Sequence, residues 1–146
     1  MTVFATNKKA FFDYLVLDAF EAGIVLKGYE VAAIKRGKVS LIGSYAIFHN
    51  NELMLTNANI STYQPKNQPA DYLATQSRKL LISKHEILKL KREIKEKGIT
   101  LIPLKVYVDK KKIKMEIGLC KGKKSYDKRE TIKKREVERK IKKIMG

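Results

Sequence analysis

The last quarter of the chain, residues 121–146, holds twelve Lys/Arg against four Asp/Glu, and that bias confines any core to the residues before it. Its apolar side chains, Ile132, Val137, Ile141, Ile144 and Met145, follow only a loose helical period. So sparse a stripe buries too little to offset a backbone ordering cost of roughly 1–2 kcal/mol per residue. The chain is expected to divide into a compact unit over 1–120 and a basic tail over 121–146. That tail should be disordered alone and become helical when a partner supplies countercharge and a surface. Gly122-Lys123-Lys124-Ser125-Tyr126-Asp127-Lys128-Arg129 reads as its hinge.

Charge is polarised along the whole sequence. Residues 1–73 carry seven basic and six acidic side chains, residues 74–146 twenty-five and nine. A pI near 9.9 with one strongly cationic half is the footprint of a protein that neutralises nucleic-acid phosphates. With 146 residues and 44% hydrophobic content, one core is feasible and two are not comfortable. A lone Cys120 permits no intramolecular disulfide, as in a reducing cytoplasm. Lys8, Lys9 and Asp13 interrupt the apolar residues of 1–17, leaving neither a secretory core nor a membrane span.

The body reads as mainly β. Runs at 11–17 and 23–26, flanking Asp18-Ala19-Phe20-Glu21, predict a strand pair. Val31 and Ile34 between Gly28 and Gly37 predict a short helix plugging one end of a sheet. Runs at 45–48 and 53–56 around His49-Asn50-Asn51-Glu52 predict a hairpin. Residues 64–77, with Pro65 and Pro69, predict a long surface loop. Ser83-Lys84-His85-Glu86 has capping-box spacing and opens a helix that Gly98 stops. Runs at 100–108 and 113–119, joined by Asp109-Lys110-Lys111-Lys112, predict a second hairpin. Six short strands with two inserted helices point to a small closed or nearly closed barrel, a form that removes sheet edges and often carries nucleic acid on its outer wall.

Catalytic readings lack their parts. Cys120 has no base placed for it, since His49 and His85 are the only histidines and nothing orients either. One Cys and two scattered His show no metal-ligand spacing. Gly118-Leu119-Cys120-Lys121-Gly122-Lys123-Lys124-Ser125 departs from a phosphate-binding loop in its spacing, and no βαβ unit can follow it. Carboxylates in the basic half are spread rather than clustered as a metal-dependent nuclease needs. No enzyme, cofactor or metal is expected. The tail's few aliphatic side chains, without Trp, also make a poor membrane anchor.

Six strings fall in compatible order: Asn7-Lys8-Lys9-Ala10, Glu21-Ala22-Gly23-Ile24, Gly28-Tyr29-Glu30-Val31, Ser44-Tyr45, Arg78-Lys79-Leu80-Leu81, and Gly122-Lys123-Lys124 with Asp127-Lys128-Arg129. Leu101-Ile102-Pro103-Leu104 with Tyr107 adds a seventh. Together they make the chain resemble the SmpB family of SsrA-binding proteins over 7–145. That resemblance implies an OB-like barrel that binds the tRNA-like domain of transfer-messenger RNA in bacterial trans-translation. It further implies a monomer without catalytic activity, whose barrel replaces a missing anticodon arm. The tail would enter the decoding site and empty mRNA channel of a stalled ribosome, against small-subunit rRNA.

By the same resemblance Glu30, Leu90 and Lys114 would lie on the RNA-binding face, supplemented by Asn7, Lys8, Arg78, Lys123 and Lys124. Asp127, Lys128, Arg129, Ile144 and Met145 would engage the ribosome. The residues alone leave Glu30 open to being a solvated helix residue, Leu90 a core residue, Lys114 an edge-strand lysine, and the last two a frayed terminus. Phe12, Tyr29 and Val137 stand where similar proteins commonly carry His, Thr and Trp. A ribosomal or rRNA-binding structural protein would share size, charge and core, and is the alternative reading.

Overall fold

The computed structural model describes residues 1–62 and 70–123, together with 129, 132, 135 and 136. The described elements in order are β1 (Thr2–Thr6), α1 (Lys8–Asp13), β2 (Tyr14–Ile24), α2 (Gly28–Lys35), β3 (Val39–Ser40), β4 (Tyr45–His49), β5 (Glu52–Thr56), β6 (Asn59–Ile60), β7 (Arg78–Leu81), α3 (Lys84–Lys97), β8 (Thr100–Asp109) and β9 (Lys112–Gly122).

Antiparallel pairings run β8–β4–β5–β7–β2–β9 and return to β8, so six strands form a closed ring. One edge of β8 is taken by β9 along its length. The other is shared, β1 covering Lys105 to Val108 and β4 meeting it at Leu101. Inside the ring Leu53, Leu55, Leu80, Leu101, Val106, Met115 and Ile117 form the core. Ala33 and Ile34 of α2 and Leu90 of α3 join it. A smaller apolar cluster of Ala10, Ile102, Leu104 and Cys120 lies under α1.

Both expected hairpins form, each on a two-residue turn whose φ values are positive: Asn50 and Asn51 in the first, Lys110 and Lys111 in the second. Both expected helices form as well. Ser83 Oγ accepts the Glu86 N–H at 3.2 Å to start α3, and Gly98, at φ 63°, ends it in the left-handed region.

Three expectations are corrected. The runs at 11–17 and 23–26 are not a strand pair: β2 is one strand, kinked by a register shift between Val16 and Asp18, and hydrogen-bonded along its length to β9. Phe11 and Phe12 belong instead to α1, a helix with no sequence cap box but with Asn7 Oδ1 accepting the Ala10 N–H at 3.2 Å. The expected six strands and two helices are nine and three among the described residues. The ring has six members because β7, unread as a strand, takes the place vacated when two runs merge into β2. The expected loop at 64–77 falls partly outside the described residues; its described end is wound around Arg78.

Candidate nucleic-acid interface

In β9, Met115 and Ile117 face the core, so Lys114 and Glu116 face outward. Residues opposite one another on paired strands share a face. One outward row therefore runs across five strands as Leu81, Gly23, Lys114, Tyr107 and Val3. A Cβ on Gly23 would sit 3.3 Å from the Cβ of Leu81, so glycine lets Leu81 lie across the row with half its surface exposed. Two residues before Gly23 on the same face, Glu21 closes the site. Its Oε1 accepts from Lys114 Nζ at 2.8 Å and its Oε2 from the Tyr107 hydroxyl.

These hydrogen bonds set the electrostatics. Lys114, then Tyr107, hold the Glu21 carboxyl below the usual carboxylate range. Its carboxylate holds the Lys114 ammonium above the ordinary lysine value. Burial, then Glu21, pushes the Tyr107 phenol up. At neutral pH the site offers a fixed acceptor, a fixed cation and an apolar flank. A shallow groove continues past Ile24, Leu26 and Val31 to Lys111 and Lys112 on the β8–β9 turn. Lys110 and Lys111 take φ values of 49° and 67°. In that region a β-carbon costs roughly 1–2 kcal/mol per residue, so their cations are presented at a conformational cost. Such an arrangement can bind phosphate with the lysines, and base or ribose hydrogen-bond donors with Glu21.

Of the expected RNA-face residues, Lys114 is in this row, while Glu30, Arg78, Leu90 and Asn7 are buried. Glu30 is neither on that face nor solvated. Arg78 Nε donates to its Oε2 at 2.6 Å, both side chains being 2% exposed, and the Lys27 N–H donates to its Oε1 at 3.0 Å. The remaining Arg78 N–H groups reach the carbonyls of Ala58, Gln76 and Ala74 and the Tyr72 hydroxyl, at 2.9 to 3.1 Å, so all five donors are used. Burial, then the Glu30 charge, raises the Tyr72 phenol. Leu90 is a core residue. Asn7 donates through Nδ2 to the carbonyls of Leu41 at 3.1 Å and Pro103 at 2.9 Å, bracing α1 on the sheet.

Lys8 is exposed on α1, and the Lys123 N–H donates to the Asp13 carbonyl at the far end of that helix, 3.0 Å away. Arg129 is exposed and helical. Lys124, Asp127, Lys128, Ile144 and Met145 lie outside the described residues. Sequence reasoning missed Glu21 and Leu81, although both sit in quoted strings. The signal was period two: Glu21 shares Gly23's face, and Leu81 follows buried Arg78 and Leu80 in strict alternation. Cys120 is sealed, and burial pushes its thiol up to about 11. Among the described residues no three His, Cys, Asp or Glu could hold a metal, and no helix is long and apolar enough to cross a membrane.

Fold and site together define a small, mainly β protein with a built polar site on its outer wall and a cationic C-terminal extension. A family model described as SmpB protein matches residues 4–146. An SsrA-binding protein of Caldicellulosiruptor bescii is 48% identical over 143 residues, covering 98% of this chain and 90% of its own. One of Carboxydothermus hydrogenoformans is 46% identical, covering 98% and 95%. A solved chain from a structure described as "tmRNA-SmpB: a journey to the center of the bacterial ribosome" superposes with a TM-score of 0.68 at 41% identity, over 86% of this chain and 87% of that one. The chain belongs to the SmpB family.

Proposed function

We propose that this chain binds the tRNA-like domain of transfer-messenger RNA and delivers it to stalled ribosomes for trans-translation. It works as a cytoplasmic monomer without catalysing a reaction. The ring acts as an OB-like barrel standing in for the anticodon arm. The tail, as a separate module, occupies the decoding site and empty mRNA channel, where Asp127, Lys128, Arg129, Ile144 and Met145 make its contacts and it becomes helical. Family membership supports the ligand, and the Leu81–Gly23–Lys114–Tyr107 row with Glu21 supports the place where it binds.

The observation that carries the site is the Glu21 carboxylate, held on an outward face of a strongly basic protein by two donors. A carboxylate repels phosphate, so its place there makes sense if a base or ribose group completes it. The test is fluorescence titration of the isolated tRNA-like domain. Glu21→Gln, Leu81→Ala and Lys114→Ala should each weaken binding by about tenfold or more, corresponding to roughly 1.4 kcal/mol or more. A surface control, Lys95→Ala, should not. Equal affinities throughout would remove the site from this face.

A further inference from the structure

We propose that Glu116 determines specificity by repulsion: its carboxylate interrupts the lysines on the outer face of the β8–β9 hairpin and keeps the backbones of unrelated RNAs from lying along it. This role rests on the reading that RNA binds at the Leu81–Gly23–Lys114–Tyr107 row with Glu21. The outward residues of the hairpin stand in opposite pairs, Asp109 with Lys112, Tyr107 with Lys114, and Lys105 with Glu116. On its other side Glu116 lies directly across from Glu21 of β2, and pairing of that kind holds the two β-carbons about 4.5–5.5 Å apart. Like charges so placed oppose folding. Glu21 is compensated, since Lys114 and Tyr107 both donate to it. Glu116 is not: among the described residues its side chain makes neither a hydrogen bond nor an ion pair, and Lys105 stands opposite without closing one. A half-buried, uncompensated carboxylate beside a second one works against the fold, so its contribution lies elsewhere.

Its neighbours supply that contribution. Lys114 is two residues back on the same face of β9, roughly 6.8 Å along the strand, and Lys105 faces it from β8. With a neutral side chain at position 116, the cations at 112, 114 and 105 would run unbroken along the hairpin. Such a stripe neutralises a phosphate chain whatever its sequence. Glu116 sits within one screening length of both lysines, about 10 Å at 0.1 M salt, so a phosphate approaching either also meets its charge. That field is felt at the adjacent Tyr107, whose phenol is raised by burial, by Glu21 and further by Glu116. A ligand docked on Leu81 and Glu21 carries its phosphates along the groove toward Lys111 and Lys112, clear of position 116. One held by charge alone has no such register. Discrimination comes from the contact refused to the second ligand.

Titrations of the full-length chain with the isolated tRNA-like domain and with an unrelated RNA duplex of equal length test this. Glu116→Gln should keep affinity for the tRNA-like domain within about twofold and tighten duplex binding about threefold. Glu116→Lys should tighten duplex binding about tenfold at low salt and steepen the slope of its log affinity against log salt by about one, for one more phosphate neutralised. Glu96→Lys makes the same charge change at an exposed site on α3, and should move duplex affinity no more than about twofold. Thermal midpoints should hold or rise in Glu116→Gln, because a repulsion is removed, whereas a structural role would lower them. Equal duplex gains for Glu116→Lys and Glu96→Lys would overturn the proposal and leave the row intact. So would a loss of about tenfold for the tRNA-like domain in Glu116→Gln, which would make the carboxylate a direct contact. An unmodified chain with no preference for the tRNA-like domain would bring down the reading of the row and this role together.

Discussion

Glu30 and Arg78 show how a buried ion pair can govern a surface it never reaches. Every hydrogen-bonding position of the guanidinium is filled, and the carboxylate caps α2 with one oxygen while holding Arg78 with the other. Removing one partner of such a pair strands the other, at a cost of about 3–5 kcal/mol. Arg78→Met and Glu30→Gln should both lower stability to chemical denaturation by that order, with RNA affinity at saturating folded protein changing less than for Lys114→Ala. A larger affinity loss for Glu30→Gln in fully folded protein would return Glu30 to the interface. Glu21 gives the pH response. Its folded value lies below the ordinary 4.5, so its contribution is complete above that point and is lost as pH falls through the depressed value. Lys114 has the opposite sign: its value is raised above 10.5, so its contribution is complete below that point and lost as pH rises through the higher one. RNA affinity should therefore show no step from Glu21 or Lys114 between pH 6 and 9, which a titration at fixed salt would check.

At the scale of elements, the β8–β9 turn exchanges stability for charge. Replacing Lys110-Lys111 by Asn-Gly, the pair suited to two positive φ values, should raise stability by about 1 kcal/mol or more. The same change should reduce the slope of log affinity against log salt by up to about two if both cations meet phosphate. A thermal melt and a salt titration on one variant decide both. What the sequence disclosed about elements follows from local signals. Ser83, Gly98, the two turn clusters and the glycines around α2 announce their structures within a few residues, and these elements formed. The strand β7 was invisible because four residues, two of them basic, become a strand only where β5 and β2 leave a gap for them. Asp18 and Glu21 broke β2 on paper because a strand on an outer wall carries charge on alternate positions, and the shift after Val16 hides that period. Burial was the least legible quantity. Nothing adjacent to Glu30 reveals that Arg78, forty-eight positions on, will enclose it.

For the whole molecule, the body and tail should separate functionally. Truncation after Lys124 is expected to leave affinity for the tRNA-like domain within about twofold, since the outward row is complete by β9. Peptide tagging on stalled ribosomes should be abolished in a reconstituted translation assay, and surviving tagging would show that the body alone suffices. The N-terminal strand has a less visible office. Because β4 reaches β8 only at Leu101, the stretch from Lys105 to Val108 would present bare amides and carbonyls to solution if β1 were not laid against it. Five residues thus act as a stopper on an adhesive seam. Whether copies of this protein stay apart at high concentration depends less on the packed interior than on that short leading segment keeping its seat.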